Sequence, residues 1–321
     1  MSARPDRPAD APALGPGQFL ARLTEPPAGV PFTQVLRGPS FVPVRSWFGL
    51  ALALFAYALV VPLVAQLLQG LFWLLDGRPS SFAEWAMRAG RYELVQGMVS
   101  GHLALACLIP IAIVMVRGWH GRPVPYASSV QPGLRWRYLL LCLPLAALVL
   151  NAVMWGARIG QQTHLSVTAG WQWWMLAILL CSPLQAAGEE YFFRGYLMQA
   201  FGSLSSNRWV GVVASALLFA LFHGVQNVWL FADRFAFGLL AGALVLLTGG
   251  LEASIAAHVA NNVFAFSYAV FGGGVAATRA LQSIGPAQLV QDLVGFSLVA
   301  LVTWWLGRRL QVATLTPSRS I

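Results

Sequence analysis

The sequence predicts an all-α, polytopic integral membrane bundle of about eight transmembrane helices. Three observations carry that expectation. Of 321 residues, 58% are hydrophobic and only 10% charged, with a mean hydropathy of +0.66; a soluble domain carries about 25% charge. Apolar windows of the ~20 residues a helix needs to cross the hydrocarbon core recur along the chain. These runs are continuous rather than alternating, which excludes a strand-built membrane barrel.

The elements follow in order. Residues 1–45 hold nine of the 19 prolines and five arginines, with no apolar core. They read as a disordered Pro/Arg-rich cytoplasmic tail rather than a cleavable signal peptide. The transmembrane bundle follows over 46–310. Its spans fall at roughly 47–70, 94–116, 138–157, 171–200, 208–230, 233–249, 251–271 and 288–307. Trp171, Trp173, Trp174, Trp304 and Trp305 read as interfacial anchors. Thr248-Gly249-Gly250 alone separates the sixth span from the seventh, and 311–321 is a cytoplasmic C-terminal tail.

Charge sets orientation and excludes one function class. The net charge of +9 comes from Arg alone. The arginines sit in loops and tails between apolar segments, where a membrane protein facing anionic lipid places them, so nucleic acid is not a partner. With the N-terminus inside, 13 arginines lie on the cytoplasmic side against six outside, leaving Arg194 within its helix. That bias predicts both termini cytoplasmic, in a multi-pass protein assigned to a bacterial plasma membrane. Cys107, Cys142 and Cys181 are each alone in an apolar segment and read as small buried hydrophobes.

Against this background Glu189 and Glu190 stand out, because an acid at membrane depth is kept where it works. His223, His258 and Asn262 follow further on. Glu189 lies 13 residues before Gly202, and His223 lies 16 after Asn207. Those counts give depths of ~20 and ~24 Å from one turn, and His258 lies ~12 Å from the turn at Gly250. With the 202–207 turn projecting past the membrane surface, all three share one level in the cytoplasmic half. Glu190 and Arg194, four apart, form a helix-face ion pair. Glu189 points about 100° away toward a cavity. Phe219 with His223, and His258 with Asn262, each share a face, whereas Asn261 points elsewhere.

Hydrolysing a peptide bond in a membrane requires a water, a base and a group to hold the developing oxyanion. A carboxylate supplies the base, histidines orient the water or protonate the leaving amine, and an Asn amide donates to the oxyanion. Glu189, His223 and His258 with an open water position would also satisfy a catalytic zinc site. The bland readings are an ion pair stitching the bundle, core histidines and an interhelical Asn. His102, His120 and His164 lack companions and read as structural. Asp233, Arg234 and Glu252 fall at span ends, where solvated charge is ordinary, and Asp292 reads as interfacial.

Glu189-Glu190-Tyr191-Phe192-Phe193-Arg194, Phe219-Ala220-Leu221-Phe222-His223 and His258-Val259-Ala260-Asn261-Asn262 resemble the three motifs of the CPBP family. That family comprises the CAAX prenyl proteases of the Rce1 type and bacterial bacteriocin-processing or immunity proteins, including those like lysostaphin resistance protein A. The resemblance covers about 170–270. It implies an all-helical intramembrane endopeptidase acting on a membrane-associated protein or peptide, with Glu189 as base or metal ligand. His223, His258 and Asn262 would complete the site, and Glu190 with Arg194 would support it. Zinc and a metal-free glutamate mechanism both stay open. The chain has no His-Glu-x-x-His, Gly-x-Ser-Gly or Gly-x-Gly-Asp motif, so the other intramembrane protease chemistries are excluded. Two further function classes remain: a non-proteolytic scaffold or immunity protein of the same fold, and a proton-coupled transporter. The absence of an inverted repeat counts against the transporter.

Overall fold

The computed structural model describes residues 24–160 and 165–318. In chain order its helices are α1 (Pro43–Leu75), α2 (Phe82–Gly90), α3 (Val95–Trp119) and α4 (Trp136–Gly156). Next, α5 (Trp171–Glu189) runs on through a π-helical segment (Glu190–Leu197) into α6 (Met198–Ser203). The chain closes with α7 (Trp209–Leu221), α8 (Val228–Thr248), α9 (Glu252–Gly272), α10 (Val275–Arg279) and α11 (Pro286–Arg309). Among the described residues the only β-structure is isolated bridges.

Six helices are long and apolar enough to cross a membrane: α1, α3, α4, α8, α9 and α11. The protein is therefore an all-helical, multi-pass membrane protein. Two of the eight expected spans depart from that description. The 171–200 window carries buried Gln185, Glu189, Glu190 and Arg194, and its helix changes to π geometry at Glu190. The 208–230 window breaks after Leu221. There Gly224 takes φ +78°, and Gln226 Nε2 donates to the Ala220 carbonyl at 2.7 Å, satisfying a helix-end acceptor. Asn227 then starts α8, its side chain accepting from the Leu230 N–H at 3.0 Å.

Helix α9 packs against α4, α5, α8 and α11, so its polar residues fall inside the bundle. Helix α5 lies directly on α3. A Cβ at Gly188 would sit 2.5 Å from the Leu105 carbonyl oxygen, so only glycine allows that approach. An aromatic core including Phe193, Tyr196, Phe219 and Phe237 fills the junction of the π segment with α7 and α8.

One end of the bundle gathers both ends of the described chain. Gly29 N–H donates to the Thr316 carbonyl at 3.1 Å, and Thr316 N–H returns to Val30 at 3.0 Å. The tail expected to be disordered to residue 45 is therefore folded from Thr24 onward; residues 1–23 lie outside the described set. Phe32, Val35 and Leu36 are fully buried, an i, i+3, i+4 apolar set hidden by the proline-rich composition. Buried Arg122 holds this segment by donating to the carbonyls of Thr24, Glu25 and Leu36 at 2.9–3.1 Å.

Glu252, expected to be solvated, is fully buried at the same end. Arg135 grips it in a fork, Nε to Oε1 at 2.9 Å and Nη2 to Oε2 at 2.5 Å. The same guanidinium reaches the carbonyls of Thr248 and Ala313. Gly249, in the left-handed region at φ +71°, ends α8 beside this clasp.

Candidate active site

Glu189 and Glu190 come from consecutive positions on α5 and the π segment, yet they face different surroundings. The π segment is defined by bonds such as Met198 N–H to the Phe193 carbonyl, five residues back. Glu190 is fully buried and accepts from three sides. Arg194 Nη1 donates to Oε1 at 2.9 Å, His258 Nδ1 lies 2.8 Å from the same oxygen, and Ser254 Oγ donates to Oε2. Arg194 is fully buried too; among the described residues its Nε and Nη2 have no hydrogen-bond partner. Its guanidinium lies 4.4 Å from the Phe219 ring centroid, so the aromatic face supplies part of what those N–H groups lack.

Glu189 lines a cavity of about 1160 Å³, as do His258, His223 and Asn262. Its Oε2 lies 3.4 Å from His258 Nε2. A carboxylate accepts only, so the Glu190 bond places the His258 proton on Nδ1 and leaves Nε2 turned to Glu189. A further proton shared between Nε2 and Oε2 would join the pair. Phe219 and Phe237 meet the His258 ring edge to face at 5.9 and 5.1 Å, fixing the imidazole plane.

His223 lies past the end of α7, yet its ring still meets that of Phe219 edge to face at 4.6 Å, on the side expected. Its Nδ1 donates to the Phe219 carbonyl at 2.7 Å, which leaves Nε2 as an acceptor on the cavity wall. Asn262 Nδ2 donates to Gln185 Oε1 at 2.8 Å, and Asn261 Nδ2 donates to Asn262 Oδ1 at 3.1 Å. Asn262 thus retains a second amide N–H.

The six expected side chains therefore divide into two layers. Glu189, His223, His258 and Asn262 line the cavity; Glu190 and Arg194 stand behind the wall. Beside the expected pair with Arg194, Glu190 also holds His258. Gln185 and Ser254 were not singled out from sequence, although each precedes a site residue by four, Glu189 and His258 respectively. His102, expected to be structural, is buried, with Ser182 Oγ 3.2 Å from its Nδ1. His120 is buried beside the Tyr196 hydroxyl at 3.2 Å. His164 lies outside the described residues.

Glu189, His223 and His258, the expected zinc ligands, all line the cavity. Among the described residues, no three His, Cys, Asp or Glu side chains gather as a metal would require. Both His258 nitrogens face a glutamate, and His223 makes no contact with Glu189 or His258 within hydrogen-bond reach.

Residues 168–264 match the family model described as type II CAAX prenyl endopeptidase Rce1-like. The chain is 34% identical over 112 residues to the uncharacterized protein YyaK of Bacillus subtilis (strain 168). That match spans 32% of this chain and 38% of YyaK, well under half of either. No solved structure matches the chain.

Proposed function

We propose that this membrane chain, whose residues 168–264 match the Rce1-like endopeptidase family model, is an intramembrane endopeptidase. It would cleave a peptide bond of a membrane-associated protein or peptide. The observation that carries this reading is the facing of Glu189 and His258 on the cavity wall, with Glu190 fixing the imidazole from behind.

The chemistry follows from those positions. Glu189 takes a proton from a water as the water oxygen bonds to the substrate carbonyl carbon. The carbonyl electron pair moves onto its oxygen, and the free amide N–H of Asn262 donates to that oxyanion. His223 Nε2 accepts a hydrogen bond from the water and so orients it. His258 Nε2 shares the proton held by Glu189, which passes to the amine nitrogen as the C–N bond breaks. Glu190, Arg194 and Ser254 act by positioning His258. No step is routed through a metal. The arginine distribution supports both termini being cytoplasmic, and the membrane we assign is a bacterial plasma membrane.

Purified protein in liposomes, offered membrane-anchored peptide reporters, tests the reading. Glu189→Gln should lower cleavage by about 10²- to 10⁴-fold, the range for loss of a general base, with an unchanged unfolding temperature. Cleavage at the wild-type rate by Glu189→Gln would overturn the mechanism. Rescue of a deletion strain by the same variant would assign the function to a scaffold.

A further inference from the structure

The cavity occupies one half of the bundle. Its helical walls come from the second half of α1 (Tyr57 to Gln69), the first half of α3 and the last part of α4. Helices α8 and α11 contribute only their beginnings, Leu230–Phe237 and Gln288–Phe296, and α9 contributes from His258 onward, while Gln185, Glu189 and Phe193 of the α5 rod and Phe219 near the end of α7 form the floor. These segments converge on the end of the molecule opposite Gly29 and Thr316. The loop residues on the wall belong to that end as well, Tyr92 before α3 and Arg279 to Gln282 before α11.

That end is a single connected face. Arg279 lies over the Tyr92 ring at 5.4 Å, Asn227 N–H donates to the Gln282 carbonyl at 2.8 Å, and Ser166 pairs with Gly272. The opposite end is closed by equally direct contacts. Ser129 pairs with Gly250, Gln34 Nε2 donates to the Ser206 carbonyl at 3.1 Å, and Arg135 clasps Thr248 and Ala313. No residue on the cavity wall comes from those loops.

Arginine placement tells the two faces apart. Among the described residues, nine arginines lie at the end that holds both termini and six at the cavity end. Acids accompany the arginines at the cavity end, as in the Arg88–Glu93 pair at 3.3 Å. The richer set marks the cytoplasmic side.

We infer that the cavity opens on the extracytoplasmic side of the membrane, so that the site receives protein segments displayed there. This deepens the protease reading and rests on it for the word substrate. The sidedness rests on the fold and the arginines alone. The wall bears Arg234, Arg279, Asp233 and Asp292, a mixture of donors and acceptors suited to an extended polar backbone. At about 1160 Å³ the space exceeds the ~300–1,000 Å³ of small-molecule pockets. The fitting occupant is the juxtamembrane segment of an exported or membrane-anchored chain, approached from outside.

Single cysteines placed in a variant lacking Cys107, Cys142 and Cys181 test the side of access. Gln282→Cys and Val225→Cys report on the cavity end, and Ser206→Cys on the other. All three positions are exposed, and only variants with the parent unfolding temperature are scored. In intact spheroplasts, a membrane-impermeant maleimide should label Gln282→Cys and Val225→Cys and spare Ser206→Cys. Labelling of Ser206→Cys with protection of the other two would overturn the inference. In a second arm, one cleavable segment is fused to a membrane anchor on either side. Cleavage confined to the outside fusion is expected, and cleavage confined to the inside fusion refutes it. Failure to cleave either fusion would count against the protease reading and leave the labelling result standing.

Discussion

His258 Nδ1 lies 2.8 Å from Glu190 Oε1, the same oxygen that accepts from Arg194. One carboxylate therefore neutralises a buried guanidinium and sets the tautomer of the imidazole that faces Glu189. Stability and site geometry meet in that single oxygen.

Glu190→Gln should destabilise the protein by about 3–5 kcal/mol, because it leaves Arg194 charged and unpaired in a dry interior. Thermal unfolding in detergent reads the loss. Removing both charges, as Glu190→Gln with Arg194→Met, should recover much of it. A double variant no more stable than the single one would show that the ion pair is not the cause.

Ser254→Ala removes one donor to Glu190 and touches no cavity residue. It is expected to reduce cleavage several-fold and shift the pH profile, since His258 is then held by a less constrained carboxylate. Ser254→Thr should restore both properties. A pH profile identical to wild type in Ser254→Ala would remove Ser254 from the positioning set.

Asn262→Ala should lower kcat by about 10²- to 10³-fold, the usual loss for one oxyanion donor, with KM little changed. Gln185→Ala should act in the same direction and less strongly, because it frees the Asn262 amide without deleting it. Equal losses in the two variants would point to orientation rather than donation as the role of Asn262.

His120 supplies a pH dependence at the terminal face, outside the membrane spans. Burial, with the charges of Arg45 and Arg122 nearby, pushes its pKa down to about 4 from an ordinary 6.5. The unfolded chain then binds the proton more readily, so stability is full above pH 6.5 and declines as pH falls toward 4. The decline is on the order of 3 kcal/mol. His120→Gln should flatten that part of the stability curve, and an unchanged curve would exclude the histidine as its source.

Because Glu189, His223 and His258 do not converge as metal ligands, cleavage should survive dialysis against a chelator. Elemental analysis should then find no stoichiometric zinc. Zinc present in the wild type and lost in both His223→Ala and His258→Ala would reverse the assignment.

The helices were legible because apolar windows of spanning length leave a chain few other options. The site's members were legible because charge at membrane depth is conspicuous. Their connections were less so. Helical spacing pairs Glu190 with Arg194 four residues on, but nothing local points to His258, 68 residues away. Gln185 and Ser254 were hidden by their neutrality, despite each lying one turn from a site residue. His223 was placed on a helix because apolar content outweighed two local signals, Gly224 and the N-cap Asn227. In the N-terminal tail, proline content masked the Phe32, Val35, Leu36 triplet that anchors it. In each case a long-range contact or a short turn signal overrode composition.

The π segment at Glu190–Leu197 has a consequence for how this site can change. Its wide turns amount to a surplus residue in an otherwise α-helical rod. Deleting one residue there would let α5 and α6 join as one uninterrupted helix with both flanks in nearly the phase they hold now, because the wide turns already absorb the extra residue. The same deletion in a regular α-helix would turn one side by about 100° relative to the other. The join is therefore slack in the rod: a one-residue change of length at Glu190–Leu197 disturbs the facing of Glu189 and His258 less than the same change elsewhere in α5.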